Sequence, residues 1–354
     1  MNIALDQKRR FIMASISVLA IALCIALPVS TTVGPMDISP WDAIVSLAST
    51  LGFINTDIPT HIATIIEQIR LPRAILSILV GSALAVSGAA IQGLFRNPLA
   101  DPGLIGVSGG AAFAAVGMIV LGSGPLFFLK DWLEPYSLVV AAFLGGFLTT
   151  LLVARIATNK FGTSIVTMLL AGIAINIVTG AGIGIFTYLA DDNQLRTLTF
   201  WSMGSLGGAT WESVLVSGTL IILAIIMIPA KARSLNALLL GESEARHLGV
   251  NVDKIKRQVI LLSALAVGAA VAVAGMIGFV GLIVPHLIRM TLGPDHRYLL
   301  PASALLGGLF LLCADMLSRT IIAPAELPIG LITSIIGGPF FIALIIFRAK
   351  RFSI

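Results

Sequence analysis

Charge is what this sequence has least of. Asp, Glu, Lys and Arg make up 11% of its 354 residues while 57% are hydrophobic; a soluble chain carries about a quarter charged residues. That shortage excludes an ordinary water-solvated domain. The two cysteines, Cys24 and Cys313, both sit in apolar runs, so neither a disulfide framework nor a zinc site has a supporting pattern. There are four histidines and no HExxH stretch, which removes that metalloprotease signature. A GxxxxGK[ST] stretch is also missing, so the chain does not cradle nucleotide phosphates by a P-loop. The 22 basic residues exceed the acidic ones to give a net charge of +5, but they are scattered over short connections. They form no stripe for nucleic acid.

What the sequence has instead is uncharged length. Residues 11–32, 74–95, 136–154, 161–190 and 327–347 contain no Asp, Glu, Lys or Arg, and about 20 helical residues cross a bilayer. The runs lack strict alternation, which favours helices over a closed β-barrel. Lys8, Arg9 and Arg10 before the first run resemble a signal peptide, yet the run reaches Thr32 without a clear cleavage site and is read as a membrane helix. Spans are expected at 11–32, 73–95, 103–122, 136–156, 163–189, 212–230, 257–274, 277–292, 298–318 and 329–347, the eighth being short and containing Pro285 and His286. With a cytoplasmic N-terminus, 17 of the 22 basic residues lie inside and only Arg70, Arg73, Lys130, Arg196 and Arg319 outside. The positive-inside rule is obeyed, and both termini are expected in the cytoplasm.

Three internal features add detail. Val80–Gly88 (VGSALAVSG) and Val267–Gly275 (VGAAVAVAG) share six of nine residues at an offset of 187. On the expected topology they run oppositely, as in the inverted repeats of transporters, although small residues such as Gly81, Ala85 and Gly88 also serve close helix packing by itself. Arg96-Asn-Pro-Leu-Ala-Asp-Pro-Gly103 must break a helix at the membrane edge, either as a plain turn or with Asn97 and Asp101 lining an opening. Finally, 236–240 and 242–248 read as two short helices punctuated by Gly241 and Gly249. Glu242 and Arg246 are spaced to pair, with Ala245 and Leu248 on another face. Such a pair has no core of its own and must dock on its own bundle or on a partner.

At these residues the sequence resembles the transmembrane subunits of ATP-binding-cassette importers for vitamin B12, haem and ferric siderophores. The resemblance covers nearly everything beyond the first helix. It is carried by Arg70-Leu-Pro-Arg73, the stretch from Ser87 to Gly103, Gly241-Glu-Ser-Glu-Ala-Arg-His-Leu-Gly249, Gly278-Phe-Val-Gly-Leu-Ile-Val-Pro-His286 and Ala325-Glu-Leu-Pro-Ile-Gly330. It implies an all-α polytopic fold of ten helices per subunit, the type II importer permease fold, over a single transmembrane domain of residues 1–354. The partners implied are a second copy of the chain, two ATPase subunits that hold ATP and Mg, a periplasmic or tethered substrate-binding protein, and lipid of the bacterial inner membrane. The chain itself is expected to bind no cofactor or metal and to perform no covalent chemistry.

The resemblance also assigns roles. Segment 236–251, with Gly241, Glu242, Ala245, Arg246, Leu248 and Gly249, matches the coupling helices that enter a cleft on the ATPase. Arg70, Arg73 and Arg319 match arginines that receive acids of the binding protein, where bidentate guanidiniums would fix orientation; snorkelling at the headgroups is their other reading. Asn97 and Leu99 match one constriction of the path. A second constriction matches Thr163 and Ser164, with Thr167 competing because two extra residues precede Ala171-Gly172. Asn176 is a polar candidate along the same helix. Thr199 to Gly208, Leu94-Phe-Arg96 and Leu292 to Arg297 resemble haem permeases most, with siderophore and vitamin B12 as alternatives. An ion-coupled transporter would need ionisable residues within the bilayer, whereas Glu67, Asp101, Asp315 and Glu326 fall near span ends.

Overall fold

The computed structural model describes residues 2–36, 38–50, 59–134, 136–160 and 162–352, except the side chains at 2–5, 47, 50 and 347–352. Phe161, and the side chains of Arg348, Lys350 and Arg351 that entered the inside charge count, lie outside the described residues. Among the described residues ten apolar helices carry the chain: α1 (Asn2–Thr32), α2 (Leu71–Phe95), α3 (Val107–Leu121), α4 (Ser137–Ile156), α5 (Ile165–Leu189), α6 (Trp211–Met227), α7 (Val252–Ala274), α8 (Val280–Leu292), α9 (His296–Thr320) and α10 (Ile329–Phe352). Eight are long and apolar enough to cross a membrane, and α3 and α8 are shorter. The chain is therefore a multi-pass membrane protein.

Local chemistry sets the helix ends. Ser164 caps α5 through the Thr167 amide, Thr210 caps α6, Asn251 caps α7 and Asp295 caps α9, each satisfying an amide that the helix cannot. At the other ends, Arg96 (φ 50°) closes α2 and Gly275 (φ 66°) closes α7 in left-handed conformation. The eighth span differs from expectation. It begins at Val280 after a non-helical stretch at 275–278 and Phe279 at φ 68°, and its 13 residues rise only about 20 Å. Likewise a 3₁₀ turn, Pro102–Ile105, precedes α3. Shorter helices between the spans include Pro40–Thr50 and Asp192–Met203, the latter started by an Asp191–Gln194 capping box.

The packing exchanges the two five-helix halves. Helix α2 packs on α9 as α7 packs on α4, and α8 packs on α2 as α3 packs on α7. With an odd number of helices per half, the second copy is inverted, which is the architecture the repeated nonapeptide suggested. Helices α2 and α7 touch each other at the centre; the most apolar stretch of 60–95 is 83% buried, against 11% for α5. Small residues allow the close approach. A Cβ on Gly88 would land on the Gly281 carbonyl of α8, and one on Gly81 on the Gly307 carbonyl of α9. Gly88→Val is accordingly expected to cost at least ~1–3 kcal/mol by overpacking, read as a lower thermal midpoint of the purified protein, with Gly180→Val, whose site is open, near wild type.

Side-chain contacts define two faces. Lys256–Thr163 and Asn236–Asp295 contacts gather the ends of α4, α5, α7 and α9 at one face, called basic here. Trp211–Glu67, Gln194–Ser123 and Arg319–Ser30 contacts gather the opposite ends at the far face.

Candidate translocation path and coupling surfaces

At the basic face α2 ends in a rigid break. The Asn97 amide returns to the Gln92 carbonyl at 3.1 Å, and Asn97 Oδ1 accepts from the Leu99 amide at 3.0 Å. Asp101 Oδ1 caps the next turn through the Gly103 amide at 2.7 Å. Asn97 is exposed and Leu99 half-buried. From α5, Asn176 donates to the Gly103 carbonyl at 3.2 Å and thereby ties the middle of α5 to the same turn. Residues Gly106-Val-Ser-Gly-Gly110 happen to match GxSxG spacing, but a 3₁₀ turn precedes them. The strand–turn–helix context of a nucleophile elbow is missing.

The start of α5 separates the three gate candidates. Thr163 is buried in a two-residue antiparallel pairing, 158–159 with 162–163, where its hydroxyl meets Thr158 Oγ1 at 2.9 Å. Its carbonyl accepts from Lys256 Nζ at 2.7 Å. Ser164 is the half-buried helix cap, and Thr167 is exposed, donating its hydroxyl to Ser164 Oγ at 3.0 Å. Thr163 is thus committed inward, while Ser164 and Thr167 form the polar pair at the helix surface.

The candidate coupling segment forms helices Ala232–Leu240 and Glu242–His247, separated by Gly241 at φ 130° and followed by Gly249 at φ 81°. The expected Glu242–Arg246 pair does not form. Glu242 instead meets Lys256 Nζ at 2.7 Å, and Arg246 meets Asp253 at 2.9 Å. Both partners lie at the start of α7, because Ala245 is fully buried against the bundle and turns its helix so that the charges reach across. Ala245 and Leu248 therefore do not share a face: Leu248 is 64% exposed, as is Leu240 at 67%. The segment docks on its own bundle and presents a separate apolar edge outward.

A second brace was not legible in the sequence. Asn236 Oδ1 accepts from the His296 amide at 2.9 Å and lies 2.8 Å from His296 Nδ1. Its Nδ2 donates to Asp295 Oδ1 at 2.6 Å. Paired side by side with Arg297, the Asp295 carboxyl is held well below the usual range, at about 2, and stays ionised at neutral pH. The buried His296 ring lies on Gly93, where a Cβ would collide with it, and Arg289 of α8 donates to Gln92 at 2.9 Å. The helix Ala232–Leu240 is thus tied through the first turn of α9 to the last turn of α2, immediately before Asn97.

At the far face the three arginines are buried, which differs from the outward-facing reading. Arg73 Nε pairs with Asp315 at 2.9 Å and Nη1 with Glu326 at 2.8 Å; Arg319 Nε pairs with the other Asp315 oxygen at 3.1 Å. Arg70 donates to the carbonyls of Thr31, Thr32 and Met36, and Arg319 to those of Ser30 and Val33. The carbonyls of Ser30, Thr31 and Thr32 close the last turn of α1, where a helix leaves acceptors unmet and favours cations, and those of Val33 and Met36 follow directly after it. Glu326 alone in the network is partly exposed, at 37% of its side chain. Asp315, held between two guanidiniums in a fully buried place, is an ion-pair member and not a solvent-accessible ion carrier. Among the described residues no group of three or more His, Cys, Asp or Glu is placed to hold a metal.

The chain is similar to known proteins. The chain is 53% identical over 284 residues to the hemin transport system permease protein HmuU of Yersinia pestis, covering 80% of this chain and 84% of that one. It is 41% identical over 313 residues to the cobalamin import system permease protein BtuC of Halobacterium salinarum, covering 88% and 81%. A solved metal-chelate type ABC transporter in an inward-facing conformation superposes with a TM-score of 0.80 at 32% identity, over 93% of this chain and 98% of that one. With residues 18–347 matching its family description, the chain belongs to the FecCD transport family.

Proposed function

We propose that this chain is the permease subunit of an ATP-driven importer whose cargo is haem. The observation that carries the reading is the coupling segment: a short helix pair braced to α7 and α9, with Leu240 and Leu248 exposed beyond the bundle. A separate ATPase would bind ATP and Mg and press on that edge. The Asn236–His296–Gly93 contacts would carry the movement to the α2 break, where Asn97 and Leu99 border the exit. Ser164 and Thr167 at the α5 start, with Asn176 further along, would line the path. In this reading the chain performs no covalent chemistry, and all of 1–354 acts as one transmembrane domain with 236–251 as its coupling region.

The basic face is assigned to the cytoplasm of a bacterial inner membrane, with both termini there, by the positive-inside rule. A second copy would complete the path against the exposed faces of α5 and α10, where Leu170, Ile177 and Ile335 lie outward. The binding protein would dock over the far-face network. Since Arg70 and Arg319 are spent on α1 carbonyls, Glu326 is the partner that an acid of the binding protein would displace from Arg73. Haem is favoured over cobalamin because the hemin permease is 53% identical and the cobalamin permease 41%; a ferric siderophore is the further alternative within the family. Reconstitution with the cognate ATPase and binding protein tests the cargo. ATP-dependent accumulation of haem, and not of cyanocobalamin or a ferric siderophore, is expected; accumulation of either of those in place of haem overturns the assignment.

A further inference from the structure

Where α4 and α7 part at the basic face, a cleft of about 300 Å³ opens between them. It is layered. Leu151 and Leu261 lie one helical turn deeper than Arg155 and Arg257, a difference of about 6 Å along the axis. A second hollow of about 620 Å³ shares Thr158, Thr163, Arg257 and Leu261 with it and adds Lys160 and Lys254. Arg155, Lys160, Lys254 and Arg257 are all exposed. None of the four has an ion pair or side-chain hydrogen bond with another described residue. The acid lining these hollows is Asp253, already taken by Arg246 and the Thr163 amide. Beside the cleft, Leu148, Leu152 and Ile156 continue an outward apolar strip along α4, so the opening is reached sideways from a bilayer.

We propose that this cleft binds an anionic phospholipid, its phosphate on Arg155 and Arg257 and an acyl chain against Leu151, Ile260 and Leu261. Guanidiniums match phosphate oxygens in pairs, and basic pockets between helices at a cytoplasmic boundary suit acidic headgroups. A protein partner fits less well, because half of the lining is apolar, Leu151, Ala154, Ile260 and Leu261, and the exposed edge at Leu240 and Leu248 lies elsewhere. Occupancy has a structural consequence. Thr163 lines both hollows, and its carbonyl holds Lys256, which in turn holds Glu242 of the coupling segment. The lipid would brace the link between that segment and the start of α5, whatever the cargo.

The test uses the purified full-length permease in mixed micelles with labelled phosphatidylglycerol or phosphatidylcholine. Wild type is expected to retain phosphatidylglycerol preferentially. Arg155→Gln with Arg257→Gln should weaken that retention about 30-fold, while Lys130→Gln with Arg196→Gln at the far face should leave it unchanged. If the arginine pair proves unstable, Lys160→Gln with Lys254→Gln, both exposed, should still lower retention severalfold. Full displacement of the lipid by millimolar inorganic phosphate would make this a free-anion site and overturn the proposal. So would unaltered lipid retention in the variants, including the case in which they lose affinity for the ATPase subunit, which would mark the cations as a protein contact.

Discussion

Aspartate at both Leu240 and Leu248 is expected to weaken assembly with the ATPase subunit at least about 100-fold while the permease keeps its fold. The two leucines are 67% and 64% exposed, so a charge there meets water in the isolated subunit and costs little. In a complex the same positions become the desolvated centre of a small interface, where loss of an anchor costs ~2–4 kcal/mol and each 1.4 kcal/mol is a factor of ten. Neighbouring Ala245 behaves oppositely. It is fully buried against the bundle, so Ala245→Asp should unfold the segment and lower the stability of the permease alone. Affinity for the ATPase, measured beside thermal unfolding of each variant, separates the two effects. If the double leucine variant binds the ATPase like wild type, the exposed edge is not the coupling surface.

Asp315→Asn is expected to be the most destabilising single polar substitution at the far face, by ~3–5 kcal/mol, because breaking a buried pair leaves an uncompensated charge. Here two guanidiniums lose the same partner: Arg73 at 2.9 Å and Arg319 at 3.1 Å, with Asp315 fully buried. Glu326→Gln should cost no more than ~1 kcal/mol, since that carboxylate is partly solvated. The pairing also predicts a compensation. Asp315→Leu combined with Arg319→Met should cost less than the sum of the two single changes, as expected for residues in one network. Additive losses in thermal unfolding would mean that the acid and the arginine act independently.

The long-range order of this molecule was readable because lipid imposes it. Long uncharged runs in lipid must be helices, and among the described residues eight of the ten expected spans are helices long and apolar enough to cross, with α3 and α8 shorter. Gly241 and Gly249 marked the ends of a short helix because only a glycine adopts their backbone angles cheaply. The shortfall at α8 has a tertiary cause: Phe279 takes a left-handed conformation packed against Gly337 of α10, and an apolar run carries no sign of that contact. Local spacing also misled at Glu242 and Arg246. An i to i+4 interval reports what one helix can pair, whereas Lys256 and Asp253 arrive on α7. For Arg70, Arg73 and Arg319 the sequence placed them at the membrane edge; the i to i+4 interval of Asp315 and Arg319 was there to read, but burial also depends on the α1 carbonyls and on the Arg73–Asp315 pair, which spans 242 residues. Asn236 and His296 were missed for the same reason, being joined across 60 residues.

On the proposed function, transport is driven by a separate ATPase and not by the permease itself. Proteoliposomes holding the permease, its ATPase and the binding protein should accumulate haem when ATP is supplied, and should lose that accumulation when the ATPase is omitted. Permease alone, given a proton or sodium gradient, should move no haem against its concentration. Sustained uphill uptake by the permease alone under either gradient would contradict an ATP-driven conduit.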